Sequence, residues 1–86
     1  PDPDRIFLGG GVAAPGLLDY LRRRLRPNGR LVAHAVTVEG ERALHSFFAH
    51  YGGRLRRIAI DRAEPGSGPT VWRPLAPVTQ LVWERP

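Results

Sequence analysis

The chain has 86 residues, a formal net charge of +5 and no cysteine or methionine, and all 13 of its basic residues are arginine. Disulfide frameworks, thiolate nucleophiles and cysteine-held zinc are therefore excluded, and without lysine so are the Walker phosphate loop and Schiff-base chemistry. A chain of this length buries only about 60 to 65% of its unfolded surface, so it is expected to draw stability from further chain or from another copy.

The positive charge has two readings. Arginine pairs bidentately with phosphate and carboxylate, which would suit a polyanionic partner. The plainer reading is a surface whose cations all happen to be arginine, and it is preferred because no block of like charge is long enough for a nucleic-acid tail. No apolar run reaches the ~20 residues of a membrane span and no signal-peptide pattern is visible. A soluble, cytoplasmic protein with no membrane or nucleic-acid partner is expected.

In chain order, residues 1–4 are polar and broken by proline, a linker or a cut end. Arg5-Ile6-Phe7-Leu8 then runs into Gly9-Gly10-Gly11. Three consecutive apolar residues suit a strand covered on both faces in a parallel sheet, and the glycines end it. From Pro15 to Leu25 the apolar residues Leu17, Leu18, Leu21 and Leu25 have helical spacing, with Pro15 acceptable in a first turn and arginines crowding the last. Pro27-Asn28-Gly29 turns the chain into a second buried strand, Arg30 to Val36. Strand, helix and strand together predict a parallel crossover.

Thr37 or Glu39 can cap the next helix, about Gly40 to Tyr51, whose apolar face is Leu44, Phe47, Phe48 and Tyr51. Arg54 to Asp61 has the mixed pattern of a strand at a sheet margin. Arg62 to Pro77, with four prolines and two glycines, reads as a long structureless connection of the kind that is functional or disordered. Val78 to Arg85 alternates and reads as a final strand. With no crossover helix before it, it is expected to run antiparallel. The fold class is α/β: βαβα followed by a β-hairpin whose last strand is reversed.

Several residues are candidates for chemistry. In open α/β sheets ligands sit at the carboxyl ends of strands, where glycine lets the backbone approach them, so Gly9, Gly10 and Gly11 could form a ligand wall. Gly9-x-Gly11-x-x-Ala14 satisfies the loose dinucleotide pattern, but the acidic residue expected ~20 positions on is missing. A plain strand-to-helix turn is the alternative. His34 lies near the end of a buried strand, where a hydrogen-bonded core histidine is commoner than a catalytic one. His45 and His50 are five apart on a helix and so are not a metal pair, and no metal site is expected. Glu39 is either functional or a partner of the helix dipole. Trp72-Arg73, a guanidinium beside an aromatic in a proline-rich loop, suits a carboxylate-bearing ligand or else packs on itself.

Three separated stretches carry a family resemblance: Pro3 to Gly11, Leu25 to Glu39, and Trp72-Arg73-Pro74 with Pro77-Val78-Thr79-Gln80. In this order they resemble the C-terminal domain of the decarboxylating precorrin-6Y C(5,15)-methyltransferases of cobalamin biosynthesis. The resemblance implies the last four strands and two helices of a Rossmann-like S-adenosylmethionine methyltransferase sheet over residues 1–86, with the cofactor-binding N-terminal half absent. It further implies that Gly9 to Gly11 lie beside S-adenosylmethionine. Thr37 and Glu39 would border a tetrapyrrole, and Trp72-Arg73 would close over it. His34, a further substrate-binding candidate, stands where asparagine is expected. The precorrin, the missing half and further copies in a homo-oligomer are the expected partners, and the fragment alone is expected to be inactive. Two other classes compete: a noncatalytic α/β assembly module whose exposed first strand pairs with another chain, and an arginine-rich RNA-binding or RNA-modifying domain.

Overall fold

The computed structural model describes residues 2–86, so Pro1 of the predicted linker lies outside it. Strand β1 (Arg5–Leu8) leads to helix α1 (Leu17–Arg24), strand β2 (Arg30–Ala35) and helix α2 (Val38–Tyr51). Strands β3 (Arg54–Ile58), β4 (Asp61–Glu64), β5 (Val71–Pro74) and β6 (Val78–Glu84) follow. Four of the strands form one sheet in the order β1-β2-β6-β3, with β1 parallel to β2 and β6 antiparallel to both its neighbours. The reversed last strand is thus inserted inside the sheet, and β3 lies at the margin its mixed pattern predicts.

Local chemistry sets the element ends. The first helix begins later than the pattern suggests, because Gly16 adopts a left-handed backbone (φ 76°) and ends a turn in which the Leu17 amide donates to the Ala14 carbonyl at 3.1 Å. Pro15 belongs to that turn. Asn28, at φ 67°, turns the chain into β2. Its amide donates to the Arg85 carbonyl at 2.8 Å, while the Arg26 and Arg30 amides donate to the carbonyls of Pro3 and Asp4, each at 2.9 Å. Pro3 and Asp4 are therefore tied into the sheet margin, not a free linker.

The core lies on one side of the sheet. Leu31, Ala33, Leu81 and Trp83 alternate inward from β2 and β6 and meet Leu44 and Phe47 of α2, Leu18 of α1, and Leu25 and Val12 from the connections. Phe47 packs edge-on against Trp83 with ring centroids 5.5 Å apart. The opposite face is uncovered among the described residues. There the register aligns Phe7, Val32 and Val82 in one row and His34, Gln80 and Arg56 in the next. Phe7 is 66% exposed. Among the described residues β1 and β2 are thus covered on one face: both helices pack on the same side, and Tyr51 of α2 reaches Asp19 of α1.

The stretch from Arg62 to Pro77 is not structureless. Strands β4 and β5 pair antiparallel, from Asp61 opposite Pro74 to Glu64 opposite Val71, and make a separate two-stranded ribbon. The prolines and glycines that suggested a loop cluster mainly at its tip, around residues 65–70. The ribbon projects from the sheet and gives the molecule an extent of 53 × 24 × 19 Å.

Candidate functional site

Since β6 runs against β2 and β3, the carboxyl ends of β1, β2 and β3 share one edge of the sheet. The candidate residues collect along this edge, where open α/β sheets hold their ligands. Gly9, Gly10 and Gly11 leave β1 exposed to solvent. Gly11 takes φ 72°, and a Cβ added at Gly10 or Gly11 would meet no heavy atom within 4 Å. They present bare backbone to open space. No charged side chain occurs between Gly9 and Gly16.

At the end of β2, Thr37 caps α2: its Oγ1 accepts the Gly40 amide at 2.9 Å, and its carbonyl accepts that of Glu41 at 2.8 Å. The capping role suggested for Thr37 or Glu39 therefore falls to Thr37. Glu39 sits exposed in the first turn, where its charge complements the helix dipole, and its carboxylate has no hydrogen-bond partner among the described residues. Gly40 presses against Val12, which brings the glycine loop and the start of α2 together. Glu41, one residue on, pairs with Arg57 at the end of β3 and lies 3.6 Å from His45.

His34 faces the uncovered side. Its Nε2 lies 2.9 Å from Gln80 Nε2, Gln80 Oε1 accepts from Arg56 Nε at 2.6 Å, and Phe7 meets the imidazole edge-on at 5.1 Å. Gln80 and Arg56 went unrecognised in the sequence. The available signal was Gln80 itself, an amide between Val78 and Val82 on the same face of an alternating strand.

Trp72 and Arg73 lie on the ribbon, which rises from the same edge at the far side of the sheet. Successive residues of a strand face opposite ways. The guanidinium therefore does not stack on the indole. Arg73 Nε is instead 2.5 Å from Glu64 Oε2, while Trp72 is 73% exposed on the other face, with Ala63 and Pro74.

Away from this edge, Asp19, Arg22 and Tyr51 join the two helices. The Asp19 carboxyl is held below its usual range, chiefly by its hydrogen bond from Arg22, whose own pKa is raised by the same contact. Among the described residues no group of three or more His, Cys, Asp or Glu side chains could hold a metal, and no helix is long and apolar enough to cross a membrane.

A family profile described as "Precorrin methyltransferase domain" matches residues 1–85. The chain belongs to this family. It is 46% identical over 85 residues to a precorrin-6Y C(5,15)-methyltransferase [decarboxylating] of Sinorhizobium sp, covering 99% of this chain and 21% of that protein. A precorrin-6Y C5,15-methyltransferase targeted domain from Corynebacterium diphtheriae superposes with a TM-score of 0.92 at 37% identity, over 100% of this chain and 51% of that one. The C-terminal domain of precorrin-6Y C5,15-methyltransferase from Rhodobacter capsulatus gives 0.86 at 40% identity, over 99% and 46%. The chain thus spans about a fifth of the curated relatives' length and about half of each solved domain. Its fold is that part of a Rossmann-like methyltransferase domain, with the reversed last strand expected from the sequence.

Proposed function

We propose that these residues are the C-terminal half of the methyltransferase domain of a decarboxylating precorrin-6Y C(5,15)-methyltransferase, acting on a tetrapyrrole in cobalamin biosynthesis. The observation that carries this reading is the match of essentially the whole chain to about half of each related domain. The uncovered sheet face agrees with it, since the apolar row Phe7, Val32 and Val82 needs a second layer, which the N-terminal half of the domain supplies.

The residues fit S-adenosylmethionine as one wall of its site. Gly10 and Gly11 offer backbone that no neighbouring side chain shields, and the absence of charge from Gly9 to Gly16 avoids repelling a sulfonium cation. That cofactor supplies an electrophilic methyl group. The nucleophile is an electron-rich carbon of the substrate, so the protein needs neither a thiol nor a metal, and its contribution is positioning and electrostatics. Thr37, Glu39 and His34 border the tetrapyrrole, and the ribbon covers it. Because Trp72 and Arg73 face opposite ways, a substrate under one ribbon face touches only one of them. Arg73, exposed and held only by Glu64, can pass from that carboxylate to a substrate carboxylate.

The ribbon also supports a homo-oligomer. An isolated two-stranded hairpin is marginal in water, yet this one leaves Val71 and Trp72 bare, and Ile60 and Leu75 at its base. Its charges, Asp61, Arg62, Glu64 and Arg73, cancel, whereas the chain as a whole carries +5. These features support the ribbon as the surface two copies would share without repulsion, and Trp72→Ser should then shift sedimentation toward the monomer.

The decisive assay is methyl transfer from S-adenosylmethionine to precorrin-6Y, with release of carbon dioxide, by the full-length protein. The isolated 86-residue chain should give no measurable S-adenosylmethionine binding in a calorimetric titration. Tight binding by these residues alone would contradict the reading.

A further inference from the structure

We infer that Arg56 and Gln80 are positioning residues that lock His34 as a neutral imidazole with its proton on Nδ1, making it a hydrogen-bond donor toward a carboxylate of the substrate. Its functional part rests on the reading proposed above. The register sets His34, Gln80 and Arg56 directly opposite one another on β2, β6 and β3, so three side chains form one polar row on the uncovered face. Apolar residues flank the row on both sides: Phe7, Val32 and Val82 before it, Val78 and Ile58 after it.

The direction of each bond follows from what each group can do. A guanidinium only donates, so Gln80 Oε1, at 2.6 Å from Arg56 Nε, must be the acceptor. The orientation of the amide is thereby fixed, and its NH2 points to His34. An amide NH2 also only donates, so His34 Nε2, at 2.9 Å, must offer a lone pair. An imidazole that is neutral and unprotonated on Nε2 carries its proton on Nδ1. A doubly protonated ring would set N–H against N–H across the same contact. Phe7, edge-on at 5.1 Å, holds the ring from the β1 side.

The Nδ1–H is left for a ligand. No acceptor for it occurs among the described residues, and no buried side-chain nitrogen or oxygen there lacks a partner, so Nδ1 opens onto the face that the rest of the domain and its substrate complete. Extending the β1–β2 register beyond Leu8 and Ala33 places His34 level with Gly9. The donor therefore stands beside the first glycine of the wall. A neutral donor can bind a carboxylate without fixing a second positive charge near the sulfonium of the cofactor.

The test is nitrogen NMR of the full-length protein labelled with 15N-histidine, with the His34 signals identified by their loss in His34→Asn. At neutral pH, Nδ1 should resonate as a protonated, pyrrole-type nitrogen and Nε2 as an unprotonated one. Arg56→Lys, which keeps a donor to Gln80, should preserve this pattern. Gln80→Glu reverses the polarity of the contact and should move the proton to Nε2. Methyl-transfer kcat/KM should then fall about tenfold, the worth of one hydrogen bond in a rate. An Nε2–H or doubly protonated His34 in the unmodified protein would overturn the assignment, as would a tautomer indifferent to Gln80→Glu. If the tautomer is as assigned but the protein does not methylate a precorrin, the positioning stands and the proposed function fails.

Discussion

Gly40 of α2 stands so close to Val12 of the glycine loop that a Cβ on it would lie 2.9 Å from Val12 Cγ2 and 3.0 Å from both Ala35 Cβ and Thr37 Oγ1. Val12 is itself buried in the core. The first turn of α2 thereby fixes the position of the glycine loop, the wall proposed for the cofactor. Gly40→Ala should destabilise the fold by about 1–3 kcal/mol, the usual cost of overpacking. Gly10→Ala, where a Cβ meets open space, should stay within about 0.5 kcal/mol. Urea midpoints of the two variants measure the contrast, and equal midpoints would show that the Gly40 contact relaxes freely.

The Thr37 cap supports the same junction from the other side. Thr37→Ala leaves the Gly40 amide without its side-chain acceptor and should cost about 0.5–2 kcal/mol, whereas Thr37→Asp should recover most of it. Equal thermal midpoints for the alanine and aspartate variants would argue that water replaces the hydroxyl at no cost.

Much of this was legible in the sequence, for identifiable reasons. Alternation and helical spacing report which residues meet a neighbouring layer, so β2, α2 and β6 lie within one or two residues of where the pattern puts them. The absence of a crossover helix before Val78 was enough to predict the reversed strand. Ile6-Phe7-Leu8 has the composition of a doubly covered strand, and Phe7 is bare here because the layer that would cover it is not among these residues. The ribbon was missed because its turn residues outweighed the weak strand signal of Asp61 to Glu64. Gln80 and Arg56 were missed because their partnership with His34 depends on strand order. Residues 46 positions apart become neighbours only once β6 is known to lie between β2 and β3.

Acid should loosen the contact between the helices. Arg22 lies 2.6 Å from Asp19 Oδ1 and spreads over the Tyr51 ring 4.3 Å from its centroid, which links α1 to the end of α2. The folded-state pKa of Asp19 is lowered from the ordinary 3.8, mainly by the Arg22 hydrogen bond. A depressed carboxyl pKa stabilises the folded state above the unfolded value, and that contribution is lost as pH falls through the folded value. The loss therefore occurs below about pH 3.8. Asp19→Asn should remove this segment of the stability–pH curve and leave the part above pH 5 parallel to that of the unmodified protein, as followed by thermal melts at stepped pH. A curve still falling at the unmodified slope below pH 3.8 would assign the acid sensitivity to other carboxyls.

The ribbon makes few contacts outside its own two strands, so it should be removable without loss of the sheet. The Leu75 amide donates to the Ile60 carbonyl at 2.9 Å, which leaves the two stems in place for a tight connection. Replacing residues 61–74 by Asn-Gly, whose positive-φ preference suits a two-residue hairpin, should keep the circular dichroism of the body and shift the thermal midpoint by only a few degrees. The same excision strips away Trp72 and Arg73 together. If the ribbon both covers the substrate and joins copies, the shortened full-length protein should sediment as a monomer and methylate poorly, with S-adenosylmethionine affinity unchanged because Gly9 to Gly11 lie at the opposite edge strand. A shortened protein that still assembles would move the interface to the body. One that assembles poorly but turns over normally would take Trp72 and Arg73 out of the substrate site.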